Sequence, residues 1–374
     1  MKKTARSASS HSSAGSQRDP CATANKASRA VSEASNLDIF SEEFNIPTVR
    51  VQDPRILVIR PGALGDTILA LPALQALRAR YPRARLDLVG YPTPLQLVQH
   101  AVRVNVNAIH SIDRAIFSSL FSGPFPPRLE EFLRSYDLLI AWIGDRSGGL
   151  LRKLERSGRA CLRADPYPLQ GSGVHASLHL LRTLTPLGVG ERLIPPRLLL
   201  PSDAHRAGRE LLRRIGLGRA GFLAVHPGSG SPSKNWPTEK FAGLLELAKR
   251  SGKQVAVLEG EADGEAIRML RQSIGWWPPA IERPNLSMLA ALMSQAGAFL
   301  GNDSGVSHLA AASGAPTLTL FGPTDPETWA PRGRCVRILP LTAPIETVWA
   351  ELTRIDRENE SRYPPPQSGK HYKR

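Results

Sequence analysis

The sequence predicts an α/β protein made of two doubly wound halves that face a common cleft. Short apolar runs alternate with helical patterns through most of the 374 residues, which is typical of βαβ units and parallel sheets. A proline-rich interval at 185–203 interrupts the alternation, and a second α/β series follows it. Three glycine-containing turns join strands to helices, and ligands of doubly wound sheets bind beside such turns.

The strands and helices were assigned from the length and periodicity of the apolar runs. The predicted strands are 56–59, 86–89, 138–142, 222–225, 255–258, 298–300 and 317–320. Helical patterns follow the first glycine turn as far as Ala79 and occupy about 239–251, 263–274, 287–296 and 305–313. We therefore predict a disordered basic tail at 1–48, an N-terminal half at 49–195, a C-terminal half at 196–350 and a polar tail at 351–374.

Composition indicates an anionic partner and a reducing compartment. The formal net charge of +15 suits nucleic acid, anionic lipid or phosphorylated substrates, although no nucleic-acid motif accompanies it. The three cysteines form no C-x-x-C pair, so neither a disulfide framework nor a zinc ribbon is predicted. The first 36 residues are rich in Ser and Ala and contain no apolar segment, which excludes a secretory signal; a transit peptide has a similar composition. No apolar run is long enough to span a membrane, and we expect a cytoplasmic protein.

The first turn, 60–67, contains Gly62 and Gly65 and ends with Asp66 at the start of a helix. Its glycines and the helix N-terminus suit an anionic ligand, whereas Asp66 could equally serve as the helix N-cap. A dinucleotide-binding fingerprint fits poorly because the spacing is G-x-x-G. The next strand also ends at Gly90 without the acid that would bind a ribose.

The second turn, 226–237, combines Ser229, Gly230 and Lys234 between a strand and a helix. Backbone N–H groups, a hydroxyl and a lysine suit a diphosphate, although the sequence is not a Walker loop. The alternative is an ordinary polar loop in which Thr238 caps the next helix.

The third turn, 301–308, brings Asp303, Ser304 and Gly305 to the start of a helix that carries His308 in its first turns. Asp303 and Ser304 could be helix caps, and His308 could be a buried structural histidine. Three such turns in one chain favour phosphate binding over three separate structural roles.

Two further groups of residues, a pair of histidines and a basic run, could be functional or merely structural. His175 and His179 have the i, i+4 spacing of metal ligands but lack the glutamate of a zinc protease, and we predict no metal site and no cofactor. A basic run follows the strand at 138–142 and is either a solvated face or a site for a phosphorylated acceptor. Its members are Arg152, Lys153, Arg156, Arg159 and Arg163.

The three turns together resemble glycosyltransferase family nine, the ADP-heptose:lipopolysaccharide heptosyltransferases. The motifs that carry the resemblance are RPGALGD at 60–66, HPGS at 226–229, KNWP at 234–237, GNDSG at 301–305, HLAA at 308–311, LFGPTDP at 320–326 and WAP at 329–331. They occur in the family's order and spacing across about residues 54–350. One departure is Ser307, where a threonine is commoner.

The resemblance implies a GT-B fold of two Rossmann-like domains, with acceptor bound by the N-terminal and nucleotide sugar by the C-terminal domain. It further implies an inverting, metal-independent transfer. Asp66 matches the family's general base and Lys234 the residue that steadies the donor diphosphate. The other donor-binding positions are Gly62, Gly65, Ser229, Gly230, Asp303, Ser304, Gly305, Val306 and His308, with Asp263 or Glu265 for the ribose.

The predicted activity is therefore transfer of a heptose, or a related sugar, from an ADP-sugar to a lipopolysaccharide core or lipid A-linked acceptor. The expected partners are this donor and an anionic glycolipid or phosphorylated glycan, without nucleic acid. Peripheral contact with the anionic inner face of the cytoplasmic membrane would suit the charge. Three alternatives stay open: another nucleotide sugar and acceptor, a non-catalytic sugar-nucleotide binding protein, and a nucleoside-diphosphate-sugar epimerase.

Overall fold

The computed structural model describes residues 53–145, 148–218 and 221–362, with the side chains of 359–362 left out. The predicted disordered tail at 1–48 lies outside the described residues. The polar tail predicted at 351–374 overlaps a helix that runs over Ile345–Arg362 and buries Leu352 and Ile355, and 363–374 lie outside the described residues. These apolar residues are spaced three apart within a charged segment, which is the pattern of an amphipathic helix.

The N-terminal half contains a parallel sheet of five strands in the order β3-β2-β1-β4-β5. Its central strands are continuous apolar runs, as expected for a parallel sheet covered on both faces. The strands are β1 Arg55–Ile59, β2 Arg85–Gly90, β3 Ala108–Ser111, β4 Leu138–Trp142 and β5 Ala160–Ala164.

The C-terminal half contains a parallel sheet of six strands in the order β11-β10-β9-β6-β7-β8, the order of a Rossmann fold. Both halves are therefore doubly wound, as predicted. The strands are β6 Leu223–His226, β7 Val255–Glu259, β8 Ala280–Glu282, β9 Ala298–Asn302, β10 Thr317–Phe321 and β11 Val336–Pro340.

Helices connect successive strands and cover the sheets. They are α1 Leu64–Arg80, α2 Pro92–Gln96, α3 Pro127–Arg134, α4 Gly149–Glu155, α5 Ala176–Arg182, α6 Ser202–Arg214, α7 Thr238–Arg250, α8 Gly264–Ser273, α9 Leu286–Met293, α10 Gly305–Ala312, α11 Pro326–Trp329 and α12 Ile345–Arg362. None of the helices in the described ranges combines the length and apolarity needed to cross a membrane.

The two halves share one buried apolar cluster, which includes Ile56 and Val58 of β1 together with Phe299 of β9. Helices α1 and α10 pack against each other within it. The proline-rich interval ties the halves further, because Leu198 N donates to Ala312 O at 2.9 Å. With a core continuous across both halves, the boundary at 195/196 stays a prediction.

Candidate active site

The three glycine turns lie at the carboxyl ends of β1, β6 and β9. In each sheet the strand order reverses there: β1 has β2 and β4 on its two sides, and β6 has β7 and β9. Crevices form at such positions because successive connections leave toward opposite faces of the sheet. The second and third turns are neighbours, since β6 and β9 are paired, while the first turn belongs to the other sheet.

Asp66 is held by its own helix and by the end of β1. Its Oδ2 accepts a hydrogen bond from Ala63 N–H at 3.0 Å, and its Oδ1 lies 3.2 Å from Arg60 Nη2. The N-cap of α1 is Ala63, so Asp66 is not the cap; it is the third helical residue. The reason is the turn before it, which keeps Ala63 extended and starts the helix at Leu64.

Gly65 and Gly305 allow the N-termini of α1 and α10 to touch. A Cβ on Gly305 would lie 2.9 Å from Leu64 Cβ and 3.0 Å from Gly65 N, which real side chains do not tolerate. A Cβ on Gly65 would lie 3.3 Å from His308 Cδ2. Gly62 is confined by Asp66 itself, whose Cβ would be 2.7 Å from a Cβ there. The first and third turns therefore meet, although they belong to different sheets.

Lys234 and Asp303 form an ion pair between the second and third turns. Lys234 Nζ lies 2.7 Å from Asp303 Oδ2, which also accepts from Thr324 Oγ1 at 2.7 Å. Asp303 is 7% exposed, and a carboxylate this buried needs such partners. Asp303 thus bonds to side chains and is not a helix cap. The Lys234 side chain is 30% exposed, so its ammonium is accessible to an anion as well.

Hydrogen bonds within the second turn stabilise its conformation. Ser229 Oγ lies 2.6 Å from Asn235 Oδ1 and 2.8 Å from Ser231 O, so its hydroxyl is engaged within the loop. Gly230 has a φ of +78°, a conformation that glycine adopts at little cost. Thr238 is not the N-cap of α7, because that position belongs to Pro237.

Asn302, at the end of β9, links the second turn to the third. Its Nδ2 donates to Pro227 O at 2.8 Å and its Oδ1 accepts from Trp236 N at 2.9 Å. Since Asn302 is fully buried, these bonds fix where both turns leave the sheet.

The start of α10 is a cradle of backbone donors. Ser304 is the N-cap and makes no side-chain capping bond, while Gly305 and Val306 are the first two helical residues. The N–H groups of a first helical turn have no intrahelical acceptor and carry the positive end of the helix dipole. An anionic group can be bound here.

His308 lies between the acidic and basic groups of the site. Burial lowers the pKa of His308 to about 4. The negative charges of Asp303 and Asp66 oppose this lowering, and the positive charge of Lys234 adds to it. Its Nδ1 is buried and has no hydrogen-bond partner among the described residues. The ring is therefore neutral near pH 7, and Asp66, Asp303 and Lys234 all lie within its electrostatic reach.

The two ribose candidates are placed differently. Asp263 is 5% exposed, and its Oδ2 accepts from His226 Nε2 at 2.8 Å and from Gly260 N at 2.7 Å. Glu265 is exposed in the first turn of α8. Asp263 therefore stabilises the start of the second turn through its bond to His226, while the carboxylate of Glu265 is exposed to solvent.

His175 and His179 each bond to a backbone carbonyl. His179 Nε2 lies 2.8 Å from Asp165 O, and His175 Nε2 lies 2.9 Å from Ala330 O. Because His175 Nδ1 accepts from Ser177 N–H at 3.2 Å, the ring proton is on Nε2 and is donated to Ala330. Across the described ranges, no three His, Cys, Asp or Glu side chains are grouped as metal ligands would be.

Two members of the basic run are engaged within the N-terminal half. Lys153 Nζ donates to Ser119 O at 2.7 Å and to Gly123 O at 3.1 Å. Arg163 Nη2 lies 2.5 Å from Asp165 Oδ1. The choice between a solvated face and an acceptor site stays open for this run.

Three residues beside the predicted positions belong to the site but were not predicted: Arg60, Thr324 and Tyr167. Arg60 and Thr324 contact Asp66 and Asp303 directly, and both lie inside the motifs quoted above. Their presence in those motifs was the available signal. Tyr167 lies in a loop after β5, where the guanidinium carbon of Arg60 is 5.1 Å from its ring centroid, and no motif marks it.

The buried histidines predict acid sensitivity. Burial also lowers the pKa of His175 to about 4, so both His175 and His308 are neutral when folded but protonate near 6.5 when unfolded. Between pH 6.5 and 4 the unfolded chain binds more protons, and the free energy of unfolding falls as pH decreases. Going from pH 7 to pH 5 should remove about 1–2 kcal/mol per histidine, as measured by urea unfolding.

His175→Asn should remove about half of this dependence and leave the contribution of His308, and the same change at the partly exposed His205 serves as the control. Equal free energies of unfolding at pH 7 and pH 5 for the unmodified protein would contradict the expectation.

Comparison with known proteins gives the family and the fold of the chain. A family model described as glycosyltransferase family 9 (heptosyltransferase) matches residues 174–360. The chain is 26% identical over 290 residues to lipopolysaccharide heptosyltransferase 3 of Escherichia coli, covering 71% of this chain and 83% of that protein. It is 29% identical over 300 residues to lipopolysaccharide heptosyltransferase 1 of Pseudomonas aeruginosa, covering 75% and 82%.

Solved structures share the fold. The chain is similar to a family 9 glycosyltransferase of Veillonella parvula, with a TM-score of 0.69 at 21% identity over 82% of this chain and 98% of that one. It is also similar to ADP-heptose lps heptosyltransferase II of E. coli, with a TM-score of 0.64 at 20% identity over 82% and 99%. The predicted GT-B fold is confirmed.

Proposed function

Because the chain belongs to glycosyltransferase family 9, the heptosyltransferase family, it is a glycosyltransferase, and we propose that it transfers a heptose from ADP-heptose to a lipopolysaccharide core acceptor. The observation that carries this proposal is the meeting of α1 and α10 at Gly65 and Gly305. It brings the helix turn that carries Asp66 in one half to the backbone donors of α10 in the other, and the charges of Asp66 and Lys234 both act on His308.

The donor assignment rests on relatives and on chemistry. The E. coli structure is named for ADP-heptose, and another E. coli heptosyltransferase was solved with ADP. In this chain the diphosphate would lie at the N-terminus of α10 beside Lys234, where donors and positive charge converge. Glu265 is the better placed candidate for the ribose, because Asp263 is buried and engaged.

The acceptor assignment rests on relatives that are named for lipopolysaccharide and on the net charge of +15. A glycolipid bearing phosphates or carboxylates is attracted to such a surface. We infer a cytoplasmic enzyme that works at the inner face of the cytoplasmic membrane.

The proposed reaction is a single displacement. Asp66 takes the proton of the acceptor hydroxyl while the oxygen attacks the anomeric carbon of the donor. The bond from that carbon to the diphosphate oxygen breaks, and its electron pair leaves with the ADP. Lys234 and the N–H groups of Gly305 and Val306 stabilise the negative charge that builds there. Attack opposite to the leaving group inverts the anomeric configuration.

A thermal-stability screen of nucleotide sugars tests the donor assignment. We expect ADP-heptose at about 100 times its Kd to raise the free energy of unfolding by about 2.7 kcal/mol and the Tm by several degrees. UDP- and GDP-linked sugars should leave the Tm unchanged, because the donor for which the E. coli relative is named carries adenine.

Lys240→Met is the control variant for this screen, since Lys240 bonds to Thr342 O and Ala343 O away from the third turn. It should respond to ADP-heptose as the unmodified protein does. Equal shifts from ADP- and UDP-sugars would remove the ADP-heptose assignment and leave the family membership intact.

A further inference from the structure

An arginine and a tyrosine surround the proposed base. Arg60 is 6% exposed at the end of β1, and its Nη2 lies 3.2 Å from Asp66 Oδ1. The other side of the guanidinium faces Tyr167, with 5.1 Å between its central carbon and the ring centroid. An arginine stacked on an aromatic ring loses freedom of movement, so the ring limits where Arg60 can place its donors.

Tyr167 is in turn held by the other half of the molecule. Its ring packs edge to face against Trp329 of α11, with 5.4 Å between centroids and an angle of 68°. A second contact joins the same two segments: His175, eight residues after Tyr167, donates from Nε2 to the carbonyl oxygen of Ala330, the residue after Trp329. A continuous set of contacts therefore runs from the nucleotide-binding half through Trp329, Tyr167 and Arg60 to Asp66.

The phenol adds no competing charge beside the base. Partial burial and the neighbouring Asp66 carboxylate raise the pKa of Tyr167, and Arg60 opposes this rise only in part. Tyr167 therefore stays neutral at working pH. Tyr167 is nevertheless 43% exposed, so it is not needed to fill the core.

We propose that Tyr167 is a positioning residue whose ring, held by Trp329, fixes Arg60 and thereby orients the Asp66 carboxylate. This inference rests on the proposed function, because it takes Asp66 to be the base. It couples the base in one half to a tryptophan in the other, so contact between the halves adds to the orientation that Ala63 N–H already gives the carboxylate. A displacement of about 1 Å in a reacting group can lower a rate by about 10²-fold.

The test compares Tyr167→Ala with Tyr167→Phe, using ADP-heptose and lipopolysaccharide from a strain that lacks core heptoses. Tyr167→Ala should lower kcat by about 10–100-fold while the donor KM stays within threefold, because the diphosphate contacts are elsewhere. Tyr167→Phe keeps the ring and should retain at least a third of the kcat. Leu169→Ala, in the same loop and 72% exposed, is the control and should behave as the unmodified protein.

A double-mutant cycle separates positioning from general loosening. Trp329→Ala should lower kcat, and the Tyr167→Ala/Trp329→Ala protein should be no slower than Tyr167→Ala alone, because both act through Arg60. Three results would overturn the inference. The losses of the two single variants could be additive, the kcat of Tyr167→Ala could lie within threefold of normal, or Tyr167→Phe could be as slow as Tyr167→Ala. If Asp66→Asn is inactive while Tyr167→Ala is normal, only this inference fails. If Asp66→Asn is as active as the unmodified protein, the base assignment and this inference fail together. If the unmodified protein transfers no heptose from ADP-heptose, the proposed function fails.

Discussion

Asp66→Asn should lower kcat by about 10²–10⁴-fold, the loss expected when a general base is replaced by an amide. The asparagine oxygen can still accept from Ala63 N–H, so α1 should begin where it does now. Arg60 loses its anionic partner, which should cost about 1–2 kcal/mol of stability. Binding of ADP should be unchanged, because its contacts are assigned to Lys234 and α10.

The measurement is steady-state kinetics together with ADP titration on the same preparations. Asp113→Asn is the matched control, because this exposed aspartate of the N-terminal half bonds to the nearby Ser111 and its replacement should leave kcat unaltered. An Asp66→Asn enzyme that turns over within a few-fold of the unmodified one would remove the base assignment. Asp66 would then have only its structural role at the start of α1.

Lys234→Met should have the second largest effect, a fall in kcat of about 10²–10³-fold with a rise in the donor KM. Methionine has a similar length but no charge, so the leaving diphosphate loses its cation. Asp303 loses its ion pair as well and keeps only Thr324, which adds repulsion toward the diphosphate. Both effects act on the step in which the anomeric bond breaks.

Lys234→Arg should recover part of the kcat, since it restores the charge in a different shape. Lys240→Met again serves as the control. The Lys234 assignment is refuted if Lys234→Met keeps a kcat within threefold of normal, or if its loss appears in the acceptor KM alone.

The sequence predicted the buried strands well and the edge strands poorly. Leu138–Trp142 was predicted with its observed bounds because all five of its residues are apolar and buried. The outer strands β3, β5, β8 and β11 were not predicted. Their sequences, such as AIHS and AIE, are short and carry polar residues, and only pairing with a neighbour makes them strands.

The site was predicted where a turn between strand and helix carried the signal. The glycine-containing turns predicted the positions of Asp66, Lys234 and Asp303, because the backbone N–H groups of a strand-to-helix turn can be located from the local sequence. Partners that come from distant segments could not be found in this way. Tyr167 lies about 100 residues from Asp66, and Asp263 faces His226 across the end of a sheet; only the tertiary structure shows these contacts.

The glycine contact between α1 and α10 also bears on how the two halves could rotate relative to each other. A helix of 17 residues is about 25 Å long, and α1 touches α10 at its first turn. A rotation of one half about this contact would displace each part of α1 in proportion to its distance from the contact, so the far end would move most and the near end hardly at all. Opening of the two halves about this contact would therefore widen the space between their outer edges, while Asp66 and the start of α10, which lie next to the contact, would keep their separation.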